Sequence, residues 1–121
     1  MGFKELLAFK KSFDLAMRIF EISKSFPKEE KYSLTDQIRR SSRSVSVNIS
    51  EAYRKRLYPK HFVSKLSDSD AENSETQVWL LFALKCNYIN QIDFESLPSE
   101  NAEVGKLINY MINNPSKFGA K

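Results

Sequence analysis

The sequence predicts an all-α fold, an up-and-down antiparallel four-helix bundle, as one domain spanning residues 1–121. Three observations carry that prediction. Apolar residues recur at alternating spacings of three and four, the period of an amphipathic helix rather than of a strand. Three glycines and four prolines in 121 residues are too few to punctuate a β-sandwich or barrel. Those prolines fall at the edges of long periodic stretches, leaving four segments joined by short links, and short links set sequence neighbours antiparallel.

The first helix is expected over about 4–25, with Leu6, Phe9, Phe13, Ala16, Phe20 and Ser23 as its stripe. Phe26-Pro27 ends it, because proline disfavours helix at the residue before it. The second is expected over 33–55, with Ser33 as N-cap and Asp36 suiting the positive end of the helix dipole. Its stripe reads Leu34, Ile38, Ser41, Val45, Asn48 or Ile49, and Ala52. Ser41, Ser42, Ser44 and Ser46 are small enough to let a neighbouring helix approach closely. Pro59 suits the start of the third helix, about 60–90, whose length is roughly 45 Å. Phe62, Leu66, Ser69, Asn73, Thr76, Leu80, Ala83 and Asn87 form its stripe. Val78 to Leu84 is apolar on every side, which predicts burial all round. Three other helices cannot cover every side of it, so Trp79 and Phe82 are expected at a subunit interface. Pro98 is expected to open a fourth helix over 98–113, with Leu97, Val104, Leu107, Ile108, Met111 and Ile112 inward and a frayed tail after Pro115.

Hydrophobic residues at 41% and charged residues at 28% are an ordinary globular mix. A lone cysteine, Cys86, permits no intramolecular disulfide and suits a reducing compartment. Neither a signal-peptide pattern nor a run of the ~20 apolar residues that span a bilayer is evident, so the expected location is cytoplasmic, away from membranes. The net charge of +4 is unevenly placed. Residues 27–66 hold ten basic and four acidic residues, whereas 67–121 hold four basic and eight acidic. That asymmetry implies a directed electrostatic surface.

The densest basic stretch is Arg54, Lys55, Arg56, Lys60, His61 and Lys65, interleaved with Tyr53 and Tyr58. Clustered cations with aromatics suit phosphate contact and base stacking, against the plainer role of a solvated helix end. Arg39 and Arg43 share a helix face, with Arg40 beside them. Arg39 and Arg43 suit salt bridges to Asp68, Asp70, Glu72 or Glu75, within or between subunits, as well as phosphate. The polar belt of the third helix reads as a hydrogen-bond network including Asn48, Glu51 and Glu75 rather than as a metal site. The chain has a single histidine and no Glu-x-x-His pair, so no metal or cofactor is expected. Cys86 reads as a small buried side chain. No glycine-rich loop and no convergent acid, base and nucleophile are present, so no enzymatic activity is expected.

Gln37-Ile38-Arg39-Arg40 followed by Asn48-Ile49-Ser50-Glu51, with Glu75-Thr76-Gln77-Val78-Trp79-Leu80 and Asn87-Tyr88-Ile89, resembles a known family over nearly the whole chain. It is the bacterial four-helix bundle proteins first noted as open reading frames in intervening sequences of 23S ribosomal RNA genes. They in turn are similar to the accessory variability protein of diversity-generating retroelements. Ala52 and Asn87 stand where many members have glycine. The resemblance implies a ring-like homopentamer with a positive surface, and it implies nucleic-acid association for the retroelement relatives. It carries over Arg39, Arg40 and Arg43 as matched basic positions, for nucleic acid or for assembly. The expected function is a non-enzymatic homo-oligomeric module binding RNA or DNA with little sequence readout. The alternative is a scaffold or adaptor whose basic surface meets an acidic protein partner.

Overall fold

In a computed structural model that describes residues 2–120, the fold grows from four helices: α1 (Leu7–Ser23), α2 (Leu34–Arg54), α3 (Pro59–Lys85) and α4 (Gln91–Asn113). No strand occurs among the described residues. Consecutive helices run antiparallel, α2 packs most extensively on α3, and α1 closes the square against α4. The all-α up-and-down bundle is therefore as the periodicity predicts.

α2 and α3 carry the expected stripes. Leu34, Ile38, Ser41, Val45, Ile49 and Ala52 are buried, as are Phe62, Leu66, Ser69, Asn73, Thr76, Leu80 and Ala83. Asn48 is half-buried at the stripe's edge and Asn87 is exposed. α1 differs. Its core face is Ala8, Ser12, Leu15, Ala16, Ile19 and Ser23; of the expected stripe Leu6, Ala16 and Ser23 are buried, while Phe13 is exposed and Phe9 and Phe20 are half-buried. Both stripes have helical spacing, and close approach to α2 decides between them. The Ser12 and Ser46 hydroxyls meet at 2.9 Å, a separation that phenyl rings in those positions would prevent.

A polar layer crosses the core. Ser41 and Thr76 hydroxyls meet at 2.8 Å, and Ser69 Oγ donates to the Val45 carbonyl at 2.8 Å. Asn73 and Asn101 clasp α3 to α4: Asn73 Nδ2 donates to the Asn101 carbonyl, and Asn101 Nδ2 donates to Asn73 Oδ1. Of the polar belt, Asn73 and Thr76 enter this buried network, in which amide groups are paired as burial requires, and Glu75 does not. Asn48 and Glu51 stand outside it. Asn48 Nδ2 donates to the Ser44 carbonyl of its own helix, and Glu51 pairs with Lys65 at the surface.

The helix ends correct four expectations. Ser33 precedes α2, but its side chain caps nothing; Glu30 Oε1 accepts from the Leu34 N–H and from Ser33 Oγ instead. α3 stops at Lys85 rather than about 90, because Asn87 is left-handed at φ 61°. The Tyr88 and Asn87 N–H groups donate to the Ala83 and Leu84 carbonyls, closing the helix with a Schellman turn. α4 begins at Gln91, with Asn90 Oδ1 accepting from the Asp93 N–H, so Pro98 lies inside the helix and does not open it. The tail is ordered as a 3₁₀ turn (Pro115–Phe118), and Ala120 is buried against the core.

Candidate nucleic-acid interface

The corner between α2 and α3 is where the densest basic stretch lands. Ala52 is fully buried and keeps α2 helical to Arg54, so the cations that follow emerge together from the bundle's end. Arg54, Lys55 and Lys60 are exposed and have no ion pair among the described residues. Tyr58 is exposed beside His61, with ring centroids 5.8 Å apart.

Three residues of the expected interface do other work. Tyr53 is only 7% exposed, and the Arg56 guanidinium lies 3.7 Å from its ring centroid. Arg56 Nε also donates to the Tyr53 carbonyl at 2.8 Å, and Gly119 of the tail packs on the Arg56 side chain. Tyr53 therefore has no face to offer a base, and Arg56 ties the tail to the corner. Lys65 Nζ meets Glu51 at 3.4 Å, which partly neutralises it.

The arginines of α2 divide between two faces. Arg40 reaches α3, bonding Glu72 at 3.0 Å and Glu75 more closely; Glu75 also accepts from Trp79 Nε1 at 3.1 Å. Burial alone would lower the Arg40 pKa, but Glu72 and then Glu75 outweigh it and hold the group above its ordinary value. The salt bridging expected of Arg39 and Arg43 thus falls to Arg40 within the subunit. Arg39 and Arg43 turn instead to α1, where their guanidinium carbons lie 4.8 and 5.4 Å from the Phe20 ring centroid. Arg39 Nε donates to Ser23 Oγ at 2.7 Å, and Ser23 in turn donates to the Phe20 carbonyl. Sequence reasoning missed Phe20 as this platform because it assigned the ring to the core.

Two apolar surfaces remain outside the core. On α3, Val78, Leu81 and Phe82 are about half exposed, so the stretch expected to be buried all round is buried on one side only. Trp79 is half-buried, packed against the core and 5.8 Å from Phe82 between ring centroids. Between α1 and α2, a groove of about 400 Å³ is lined by Phe9, Phe13, Met17 and Val47, with Arg43 also on its wall. Cys86, expected to be buried, is exposed because α3 ends there. No cluster of three His, Cys, Asp or Glu suited to a metal occurs among the described residues, and none of their helices is long and apolar enough to cross a membrane.

Comparison with known proteins agrees with this architecture. A family model described as 23S rRNA-intervening sequence protein matches residues 4–110. A 1.70 Å crystal structure from Bacteroides thetaiotaomicron VPI-5482, described as a protein with unknown function from the S23 ribosomal protein family, is 30% identical with a TM-score of 0.79. The alignment covers 88% of this chain and 96% of that one. No curated protein matches the chain.

Proposed function

Because the chain belongs to the 23S rRNA-intervening sequence protein family, we propose that it is a non-enzymatic, homo-oligomeric cytoplasmic protein that binds RNA or DNA backbones with little sequence readout. The observation that carries the reading is the α2–α3 corner. Arg54, Lys55 and Lys60 stand exposed there without carboxylate partners among the described residues, while most of the acidic residues lie on α3 and α4. Unpaired cations attract polyanions and release counterions when phosphates replace salt. Tyr58 supplies an exposed stacking surface, which tolerates any base. The rRNA reference in the family's description is in keeping with this reading.

The oligomer is proposed from the two apolar surfaces. The ridge of Val78, Leu81 and Phe82 and the groove beside Phe13 and Met17 are on different helices. Joining such unlike surfaces between copies is heterologous, and a heterologous contact that closes makes a ring. A ring would present the basic corner several times to one polyanion and raise avidity.

The test is fluorescence anisotropy with labelled RNA and DNA at ~50 and ~200 mM salt. The wild type is expected to bind and to weaken steeply with salt. Replacing Arg54, Lys55 and Lys60 together by Gln, with Arg56 retained for the fold, is expected to weaken binding and flatten that dependence. Absence of wild-type binding even at low salt would reassign the corner to an acidic protein partner.

A further inference from the structure

We propose that Arg39 and Arg43, arrayed around Phe20 on the α1–α2 face, form a second and separate phosphate-binding track for single-stranded nucleic acid. The inference rests on the nucleic-acid reading above but concerns a different face of the bundle. Its basis is a pair of cations that packs on α1 but is left without carboxylate partners among the described residues. Lys24 Nζ joins the two arginines at the Phe20 ring, 4.9 Å from its centroid, so three cations surround one phenyl group. Lys24 pairs with Glu21, but neither Arg39 nor Arg43 has a carboxylate partner among the described residues. Two like charges four residues apart on a helix repel each other. Arg40, in the same run, shows what α2 does with an arginine that serves packing: it pairs with Glu72 and Glu75.

Arg39 is also held in place. Its Nε is occupied by Ser23 and its plane lies near Phe20, while its terminal Nη groups have no protein hydrogen bond among the described residues. A guanidinium fixed through one nitrogen, with a fork left over, is organised for bidentate phosphate contact. The two arginines line an open depression of about 590 Å³, together with Lys31, Tyr32 and the carboxylate-paired Arg40, and against the single carboxylate of Asp36. Thr35 lines it too, and its hydroxyl oxygen is buried without a hydrogen-bond partner. Tyr32 is 84% exposed, with Lys31 Nζ 5.3 Å from its ring centroid. A large exposed aromatic beside unpaired guanidiniums is the combination that single strands use, with bases stacked and phosphates neutralised. Residues at i and i+4 lie about 6 Å apart at their Cβ atoms, close enough for Arg39 and Arg43 to serve neighbouring phosphates.

The experiment is anisotropy of a fluorescein-labelled oligo(U) and its oligo(dT) counterpart over a salt series. The proteins are wild type, R39Q/R43Q and the equal-charge control K4Q/K10Q, whose lysines are exposed and have no ion pair among the described residues. For single strands the log–log salt slope falls by about 0.7 for each phosphate left unneutralised, so R39Q/R43Q is expected to flatten it by about 1.4. The control should keep the wild-type slope. Tyr32→Ala should weaken binding at every salt concentration without changing the slope, because stacking releases no counterions. A wild-type slope in R39Q/R43Q overturns the track and leaves the α2–α3 corner as the site. Arg43 borders the groove beside Phe13 as well as this depression, so loss of the assembled mass of R39Q/R43Q in light scattering also overturns the track, by making these residues interface groups. Failure of every form to bind would instead overturn the nucleic-acid reading itself.

Discussion

Glu30 sits where the link before α2 needs an acceptor. One carboxylate oxygen takes the Ser33 hydroxyl and the Leu34 N–H, and the other takes the Tyr88 hydroxyl at 2.9 Å. The Ser33 bond first, and then those from Tyr88 and Leu34, hold the Glu30 carboxyl below its ordinary range. The same contact, led by the hydrogen bond to Glu30, pushes Tyr88 up to about 12. The signs give two edges. A depressed carboxyl contributes stability that is present above its unfolded pKa and is lost as pH falls through the lower, folded value. A raised phenol contributes stability that is full below the ordinary value of 10.0 and is lost as pH rises through about 12. The melting-temperature difference between wild type and Tyr88→Phe is therefore expected to be constant from neutrality to pH 10 and to shrink above it. It should shrink again in acid, once Glu30 protonates. No difference between the two proteins at any pH would show that Tyr88 stabilises only through its ring on Phe26, 5.6 Å away, which the variant keeps.

At the scale of the helix, α4 is the element whose start was hidden. Proline at 98 reads as a helix opening, yet Asn90 caps the helix eight residues earlier and Leu97 is fully buried. Pro98 has no N–H to give the Phe94 carbonyl, so the first two turns lack a backbone tie that the rest of α4 has. Arg18 of α1 spans the gap, bonding Asp93 at 3.2 Å and, more closely, Ser96 and Glu100. Arg18→Ala is expected to raise amide exchange in Gln91–Leu97 about fivefold, equivalent to about 1 kcal/mol, with α2 and α3 unchanged. Unchanged exchange would mean that burial of Leu97 alone holds the segment. The same reasoning separates what was legible from what was not. The stripes of α2 and α3 were readable because their large apolar residues have one helical phase. α1 offered two phases, and a serine contact with α2 chose the smaller side chains. Asn87 hid the end of α3, since a non-glycine residue at positive φ has weak sequence signature. The basic corner was legible as a run of charges, but the division of Arg39 and Arg43 from Arg40 depends on which neighbour each face meets. No one-dimensional pattern holds that information.

For the molecule as a whole, the unburied apolar surface makes a geometric demand. Phe82 and Phe13 are each about half exposed, one on a ridge of α3 and the other beside the α1–α2 groove. If ridge seats in groove, each copy uses two different patches, and spoiling either patch breaks the assembly. Phe82→Glu and Phe13→Glu are therefore each expected to reduce the light-scattering mass to the 14.0 kDa of one chain, with helix content retained. Mixing the two variants restores one productive contact, because the first keeps its groove and the second keeps its ridge. The mixture should thus form heterodimers and stop there, since each heterodimer ends in one spoiled ridge and one spoiled groove. A ridge-to-ridge twofold contact predicts otherwise: Phe82→Glu dissociates, Phe13→Glu stays dimeric, and mixing adds nothing. Only the ridge-in-groove arrangement gives two inactive halves that complement each other into a dimer. A closed ring then follows as the way such a contact ends without growing into a filament.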